Sequence, residues 1–368
     1  MSTLIIVLGL IGLTYLFLSY YPPFGKKASK ERLSKYQQSE NFSHKRKFVN
    51  LIPTVMENSL KETVSILIDF IKGNPNGRPK SVIPIEKLEI TDCSKDNQPK
   101  ITWFGHSAFL LELDQKRLLI DPMFGKAPSP FPIFGIKRYS KDLPFKMEDL
   151  PPIDMVLISH DHYDHLDYGT IKKIKDKVKQ FIVPLGVGSH LEKWGVNPAI
   201  IKELDWWDEL EFAGLKFAAA PARHFSGRSL TDRDATLWCS WVIKSELINI
   251  FFSGDSGYGP HFKEIGAKYG PFDLTLMECG QYDRRWAAIH MTPEETVQAQ
   301  LDVKGEMMIP IHWGAFTLAL HDWTDPIDRV TKAAQKESLA ISTPRIGETV
   351  YIGSEDYPRN MWWKIIGS

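Results

Sequence analysis

The chain of 368 residues has few cysteines: Cys93, Cys239 and Cys279 stand far apart, with no Cys-x-x-Cys pair. That excludes a disulfide framework and a thiolate zinc site. Cys239, inside a strand-like run, reads as a buried apolar thiol. A charge surplus is also missing. Lys+Arg and Asp+Glu both count 45, so no general attraction to nucleic acid follows. The chain shows no flavin or nicotinamide fingerprint, no nucleophile with a base beside it, and no repeat of solenoid length. What is present is globular in composition, 43% hydrophobic and 24% charged, and long enough to bury one large core or two small ones. Aromatics, at 12%, are frequent enough that part of them is expected to line a surface or groove.

One long hydrophobic run stands out. Ser2 to Tyr21 carries no charge and is long enough for a bilayer core. No Lys or Arg precedes it, as a signal peptide would want, and it ends in Tyr20-Tyr21-Pro22-Pro23, with rings suited to an interface. The expectation is a single-pass membrane anchor over residues 2–21. Lys26, Lys27, Lys30, Arg32 and Lys35 follow it, which puts the rest of the chain on the cytoplasmic side and attracts anionic headgroups. Residues 22–99 are polar, basic and broken by Pro and Gly, a juxtamembrane extension with a short helix around Val64 to Ile71.

The centre of the sequence is Met155 to Asp167, MVLISHDHYDHLD. A short apolar run reads as a buried strand and stops at His160. His160, His162, Asp164 and His165 then follow within one short stretch. Imidazole and carboxylate together suit a borderline metal such as zinc. In extended backbone His160 and His162 leave on the same face and can share one ion. Asp164 and His165 need a bend before both face a second.

From Lys100 the strand-like runs are ITWFGHSAFLLEL, RLLIDP, MVLIS, QFIVP, ELEFAGLKFAAAP, LWCSWVIKS, INIFFSGD, LTLMEC and MMIPIHWG. Between some of them lie helical patterns. Asp167 caps one drawn through Gln180, with Ile171, Ile174 and Val178 as its buried stripe. Pro293 opens PEETVQAQLDV, and a third runs near Asp328 to Glu337. The order suggests an α/β fold of two sheets face to face with helices outside. Residues 100–355 form the catalytic domain and 356–368 a tail.

The pattern His-x-His-x-Asp-His resembles the metallo-β-lactamase superfamily, whose fold is an αββα sandwich with two metals at one edge. The resemblance implies the remaining ligands at strand ends: His224 after LKFAAAPA, Asp255 closing INIFFSGD and His312 after MMIPI. One ion would take His160, His162 and His224, and the other Asp164, His165 and His312, with Asp255 between them. Asp121, in IDP, would stand behind a ligand histidine and orient it. The implied chemistry is hydrolysis by a metal-activated hydroxide, with Asp164 and Asp255 orienting it. The expected cofactor is two Zn2+, although ligand type alone does not choose between zinc, iron and manganese.

The blocks WFGHSAFLLELDQKRLLIDPMF, PARHFSGRSLTDRDATLWCSW, MTPEETVQ and IPIHWGAFTLALHDWTDP are similar to the N-acylphosphatidylethanolamine-hydrolysing phospholipase D group. That similarity implies a phosphodiesterase giving phosphatidic acid and an N-acylethanolamine, with His290 contacting the phosphate or aiding the leaving group. The expected partners are a phospholipid and a membrane and not nucleic acid, with a homo-oligomer left open. The alternative is a hydrolase of the same fold acting on a soluble phosphodiester or lactone. Phe225, Trp238, Trp241, Trp286, Trp313 and Phe316 cluster around the ligand positions, at least half of them as core. Arg228, Arg233, Arg284 and Arg285 are candidates for holding phosphate, and His106, His44, His190 and His261 for ordinary backbone-satisfied or surface histidines.

Overall fold

Short, β-branched and aromatic runs bounded by turns dictate strands here, and the strands decide the architecture. The structure, a computed structural model, describes residues 2–54, 59–88, 98–133 and 135–366, the side chains of residues 2–5, 8 and 11 aside. Cys93 and the end of the tail lie outside the described residues.

The first group of strands is β1 (Lys100–Trp103), β2 (Phe109–Leu113), β3 (Lys116–Ile120), β4 (Ile153–Leu157), β5 (Val178–Pro184) and β6 (Ile201–Leu204). The second is β7 (Glu209–Phe212), β8 (Leu215–Ala220), β9 (Ser240–Lys244), β10 (Asn249–Phe252), β11 (Phe272–Glu278), β12 (Gly305–Ile311) and β13 (Ala340–Ile341), after which β14 (Thr349–Tyr351) crosses back. They make two mixed seven-stranded sheets, ordered β14-β1-β2-β3-β4-β5-β6 and β13-β12-β11-β10-β9-β8-β7. Both sheets begin with antiparallel hairpins and continue with parallel strands. The parallel strands β4, β11 and β12 are buried almost throughout, as strands covered on both faces must be.

The helices are α1 (Ser2–Tyr20), α2 (Lys30–Tyr36), α3 (Leu60–Lys72), α4 (Tyr168–Ile174), α5 (Gly188–Lys193), α6 (His261–Lys268), α7 (Pro293–Val303) and α8 (Asp325–Lys336). One core lies between the sheets, where Ile101, Leu111, Met155 and Ile182 of the first meet Phe217, Trp241, Phe252 and Leu274 of the second. A second core lies on the outer face of the first sheet, where Val156 and Phe181 pack with Ile171 and Ile174 of α4 and Leu191 of α5. Asp167 does cap α4, accepting from the Thr170 amide at 2.7 Å. The helix stops at Ile174, however, and Val178 opens β5 opposite Ile153. The Val-Phe-Ile-Val run prefers a buried pleated surface, and this overrides the helical spacing.

The anchor expected over residues 2–21 is the helix α1. Among the described residues no helix is long and apolar enough to cross a membrane, so the span has no support from the structure. The segment after α1 is tied along the domain. Trp194 Nε1 donates to the Pro22 carbonyl at 2.8 Å, Arg228 Nε to that of Pro23 at 2.9 Å, and the Lys26 amide to His190 Nδ1 at 2.9 Å. Farther along, Arg32 pairs with Glu192 and with Glu203, a side chain only 6% exposed that also accepts from the amides of Gly186 and Gly188. Burial pushes the Glu203 pKa up and Arg32 opposes that shift.

Removing Arg32 leaves the Glu203 charge buried without its cation. Arg32→Met should therefore lower stability by about 2 kcal/mol. The loss should shrink as pH falls, because a carboxyl with a raised folded pKa takes up its proton and loses its cost first. Urea unfolding at pH 8 and pH 5 reads the difference directly, and an equal loss at both would place the effect elsewhere.

Candidate metal centre

The sheets deliver their strand ends to one edge, and the expected residues meet there. His160 to His165 follow β4, His224 follows β8, Asp255 follows β10 and His312 follows β12. His160, His162, His224 and Asp255 offer ligand atoms that all lie within 4.8 Å of one another, as do His106, Asp164, His165 and His312. Asp255 Oδ2 lies 3.1 Å from His165 Nε2 and 3.2 Å from His312 Nε2, and 3.7 Å and 3.8 Å from the Nε2 atoms of His160 and His224. It stands between the two groups.

Local backbone makes this convergence possible. His106, Asp121 and His312 have φ of 57°, 39° and 65°, a left-handed region that few non-glycine residues occupy. Two glycines are required by close approach. A Cβ on Gly254 would meet the Cys239 carbonyl oxygen at 2.8 Å, and one on Gly280 would meet that of His312 at 2.2 Å.

Behind the facing atoms three of the rings are held. Ser159 Oγ is 2.9 Å from His160 Nδ1, and His224 Nδ1 is 3.1 Å from the Ile289 carbonyl. Asp121 Oδ2 is 2.7 Å from His165 Nδ1, and the same carboxylate accepts from the Ser159 amide and hydroxyl. These partners fix which ring nitrogen points inward. The inward atoms crowd together, with His160 Nε2 2.9 Å and His224 Nε2 3.2 Å from His162 Nδ1. His165 Nε2 and Asp255 Oδ1 are buried with no hydrogen-bond partner among the described residues. Lone pairs aimed at one another, beside orphaned carboxylate oxygen, fit a cation-binding site.

Electrostatics divides the cluster. Burial drives His160 and His224 well below the usual imidazole range and lowers His162 as well, so these rings stay neutral. Burial would do the same to His165, but Asp255, Asp164 and Asp121 push it well above that range. His312 is raised to about 10 against its burial, chiefly by Asp255. Asp164 and Asp255 stay ionised despite burial, held down first by His165. The metal-free cluster thus gathers protons where its carboxylates concentrate.

His106 does not have the backbone-satisfied ring expected of it. Its Nε2 sits 2.8 Å from Asp164 Oδ2, and burial lowers its pKa to about 3. His190 and His261 are not surface residues: each is 3% exposed, His190 Nε2 lying 3.3 Å from Asp161 Oδ2 and His261 Nε2 3.0 Å from Ser256 Oγ. Both are drawn inward because a buried polar partner awaits them. His44 is exposed. Arg228 is no candidate for phosphate, since its buried guanidinium donates to the carbonyls of Pro23, Asp161 and Leu166 and lies over the Tyr163 ring at 4.0 Å. Arg285 is paired with Asp283 and Asp69. Trp238, Trp241, Trp313 and Phe316 belong to the core, whereas Phe225 and Trp286 are partly exposed beside the site.

Two residues at the site had drawn no attention in the sequence. Glu278, fully buried at the end of β11, is bonded to His290 Nδ1 and lies 3.6 Å from His312 Nδ1. Asn50 clamps the backbone of His224: its Nδ2 donates to the His224 carbonyl at 2.8 Å, and its Oδ1 accepts from the His224 amide at 3.0 Å and from Trp238 Nε1 at 3.2 Å.

Residues 116–313 match the family described as the Beta-lactamase superfamily domain. The chain belongs to the beta-lactamase superfamily. It is a metal-dependent hydrolase of the metallo-β-lactamase fold, with a His/Asp cluster able to bind metal. A member from Mycobacterium tuberculosis, uncharacterized, is 40% identical over 327 residues, 86% of this chain and 86% of its own. The N-acyl-phosphatidylethanolamine-hydrolyzing phospholipase D 1 of Caenorhabditis elegans is 34% identical over 268 residues, 68% of this chain and 74% of its own. Among solved structures, a metallo hydrolase from Ignicoccus hospitalis superposes with a TM-score of 0.54 at 22% identity, over 69% of this chain and 97% of that one. At that identity the likeness concerns the fold alone.

Two outcomes are expected of this geometry. Metal uptake must displace the protons on His165 and His312, so it should release about two protons per chain at pH 7, with apparent affinity rising with pH. Titration calorimetry in buffers of different ionisation enthalpy measures that number, and zero release would contradict the charge distribution. Asn50→Ala should weaken metal retention about tenfold or more by loosening His224. Competition with a chromophoric chelator reads it, and wild-type retention would mean the clamp does not position the ring.

Proposed function

We propose that this protein is a di-zinc phosphodiesterase that hydrolyses N-acylphosphatidylethanolamine to phosphatidic acid and an N-acylethanolamine. The observation that carries the substrate is the 34% identity over 268 residues to the Caenorhabditis elegans phospholipase of that name. In this reading His160, His162 and His224 hold one cation, and Asp164, His165 and His312 the other, with Asp255 shared. When bound, the cations would supply Lewis acidity and a water of lowered pKa as the nucleophile.

The chain does the rest. Asp164 and Asp255 orient the attacking water, and Asp121 keeps His165 turned toward the site. His290, gripped at Nδ1 by Glu278, presents its other nitrogen to the substrate. As the phosphorus–oxygen bond to the N-acylethanolamine breaks, His290 gives the leaving oxygen its proton. A groove of about 280 Å3 opens beside His224, lined by Val49, Ile52, Pro53 and Phe225, with Arg233 4.4 Å from the Phe225 ring centroid. Its apolar wall suits an acyl chain.

Residues 100–355 act as the catalytic unit, with residues 2–21 and the basic extension 22–99 keeping it at the cytoplasmic face of a membrane. Exposed Leu10, Leu13 and Leu16 of α1, beside the ring cluster of Phe17, Tyr21, Phe24 and Phe131, support that placement.

The zinc-loaded protein is to be given vesicles of N-acylphosphatidylethanolamine and, separately, a soluble p-nitrophenyl phosphodiester. Lipid cleavage is expected, and turnover of the soluble ester alone would refute the lipid substrate. His160→Ala and Asp255→Ala should each lower the rate at least about a thousandfold with unchanged far-UV circular dichroism. His290→Gln should cost about a hundredfold in kcat on the lipid but little with p-nitrophenolate, which leaves without a proton. An equal loss on both substrates would remove His290 from the role of acid.

A further inference from the structure

α3 buries none of its residues, yet it carries a complete apolar stripe. Leu60, Val64, Leu67, Ile68 and Ile71 recur at helical spacing, and Leu60, Leu67 and Ile71 are 83%, 59% and 76% exposed. The helix is built to exist. Ser59 and Glu62 form a reciprocal capping box at its start. It is also held in place away from the stripe: Asp69, opposite it, pairs with Arg285 at 2.8 Å, and the ring of Phe70, on its flank, stacks 6.4 Å from that of Trp286. The apolar stripe therefore faces away from the protein because the side carrying Asp69, half-buried Ile66 and Phe70 is the one docked. A helix with its apolar half turned outward needs an occupant.

Charge placement selects the occupant. With about 100° per residue, Lys61 and Lys72 fall along one edge of the stripe, while Glu62 and Asp69 fall on the far side. Both acids are engaged, Glu62 with the helix cap and Asp69 with Arg285. Neither lysine has a carboxylate partner among the described residues. Apolar side chains outward, lysines at the boundary and acids withdrawn is the distribution that lies in a phospholipid interface. A second copy fits worse. In a two-fold antiparallel pair of α3 helices the lysine edges would lie against each other.

The location adds purpose. Ile52, Pro53 and Thr54, shortly before α3, line the groove beside His224. Trp286, under α3, accepts through its carbonyl from the Ile289 amide at 3.0 Å, and the Ile289 carbonyl meets His224 Nδ1. We propose that α3 is a lipid-docking helix that seats this rim of the metal centre on a phospholipid surface, from which substrate passes into the groove. The passage of substrate rests on the lipid reading above; the docking does not.

The test uses the full chain with Cys93→Ser and an environment-sensitive fluorophore at Leu67→Cys. Leu247→Cys, in the turn between β9 and β10, is the reference position, and the buried Cys239 and Cys279 stay unlabelled. On phosphatidylcholine vesicles containing phosphatidylserine, emission from position 67 should shift to the blue. Chain-brominated lipid should quench it at least about fivefold more than position 247. Equal quenching at the two positions overturns the proposal. So does a blue shift without vesicles that tracks dimerisation in sedimentation, which would assign the face to a second copy. In Leu67→Glu/Ile71→Glu, the ratio of vesicle-borne to soluble diester turnover should fall about tenfold, and an unchanged ratio overturns delivery through α3. Quenching at position 67 in a protein that cleaves no lipid would uphold the docking helix and refute the substrate.

Discussion

The structure depends on one constraint: a buried set of imidazoles and carboxylates whose lone pairs point at one another must be supplied with positive charge. His160, His162 and His224 present acceptor nitrogens near hydrogen-bond distance of each other, and Asp255 stands between them and His165 with His312. In a low-dielectric interior that arrangement is costly unless cations or protons fill it. Without a cation, carboxylates outweigh burial at His165 and His312 and favour a proton on each ring. Metal would fill the arrangement at fixed positions, because Ser159, Asp121 and the Ile289 carbonyl have already set the direction of His160, His165 and His224.

The sheets exist, in this light, as a way of bringing distant loops to one edge. Each contributes strand ends, and the left-handed backbone at His106, Asp121 and His312 turns the chain sharply where a strand becomes a ligand loop. Such conformations persist only when surrounding packing over-determines them. The core between the sheets, with Trp103 and Trp313 stacked 5.4 Å apart directly behind His106 and His312, supplies that packing.

Much of this was legible in the chain because its signals are local. Apolar runs ending in His or Asp marked the strand ends, Asp167 marked a helix start, and Pro293 opened a helix that Thr292 and Glu295 cap. Where local signals competed, tertiary context decided: Val178 fits the helical spacing but pairs in β5 opposite Ile153. His190 and His261 looked like surface residues, and Arg228 like a holder of phosphate, because nothing near them in sequence reveals the buried groups they meet. Glu278 could have been found. It ends the run LTLME as Asp255 ends its own, a carboxylate where an apolar strand stops. Asn50 could not, since its partner His224 lies in a different element far along the chain and only the fold joins them.

Asn50 also shows how the polar extension is held against the domain. A tether would need few fixed contacts, yet this segment gives Asn50 to a candidate metal ligand, Ile52 to Thr54 to the groove wall and, a few residues later, the outward apolar helix α3. Arg223, next to His224, grips the same stretch through the Thr54 hydroxyl and the Pro53 carbonyl. The described parts of this segment thus give, up to Thr54, contacts to the backbone of a histidine in the metal centre and, from Ser59, an exposed apolar helix. The setting of His224 therefore depends on side chains of the extension as well as on the strand it follows.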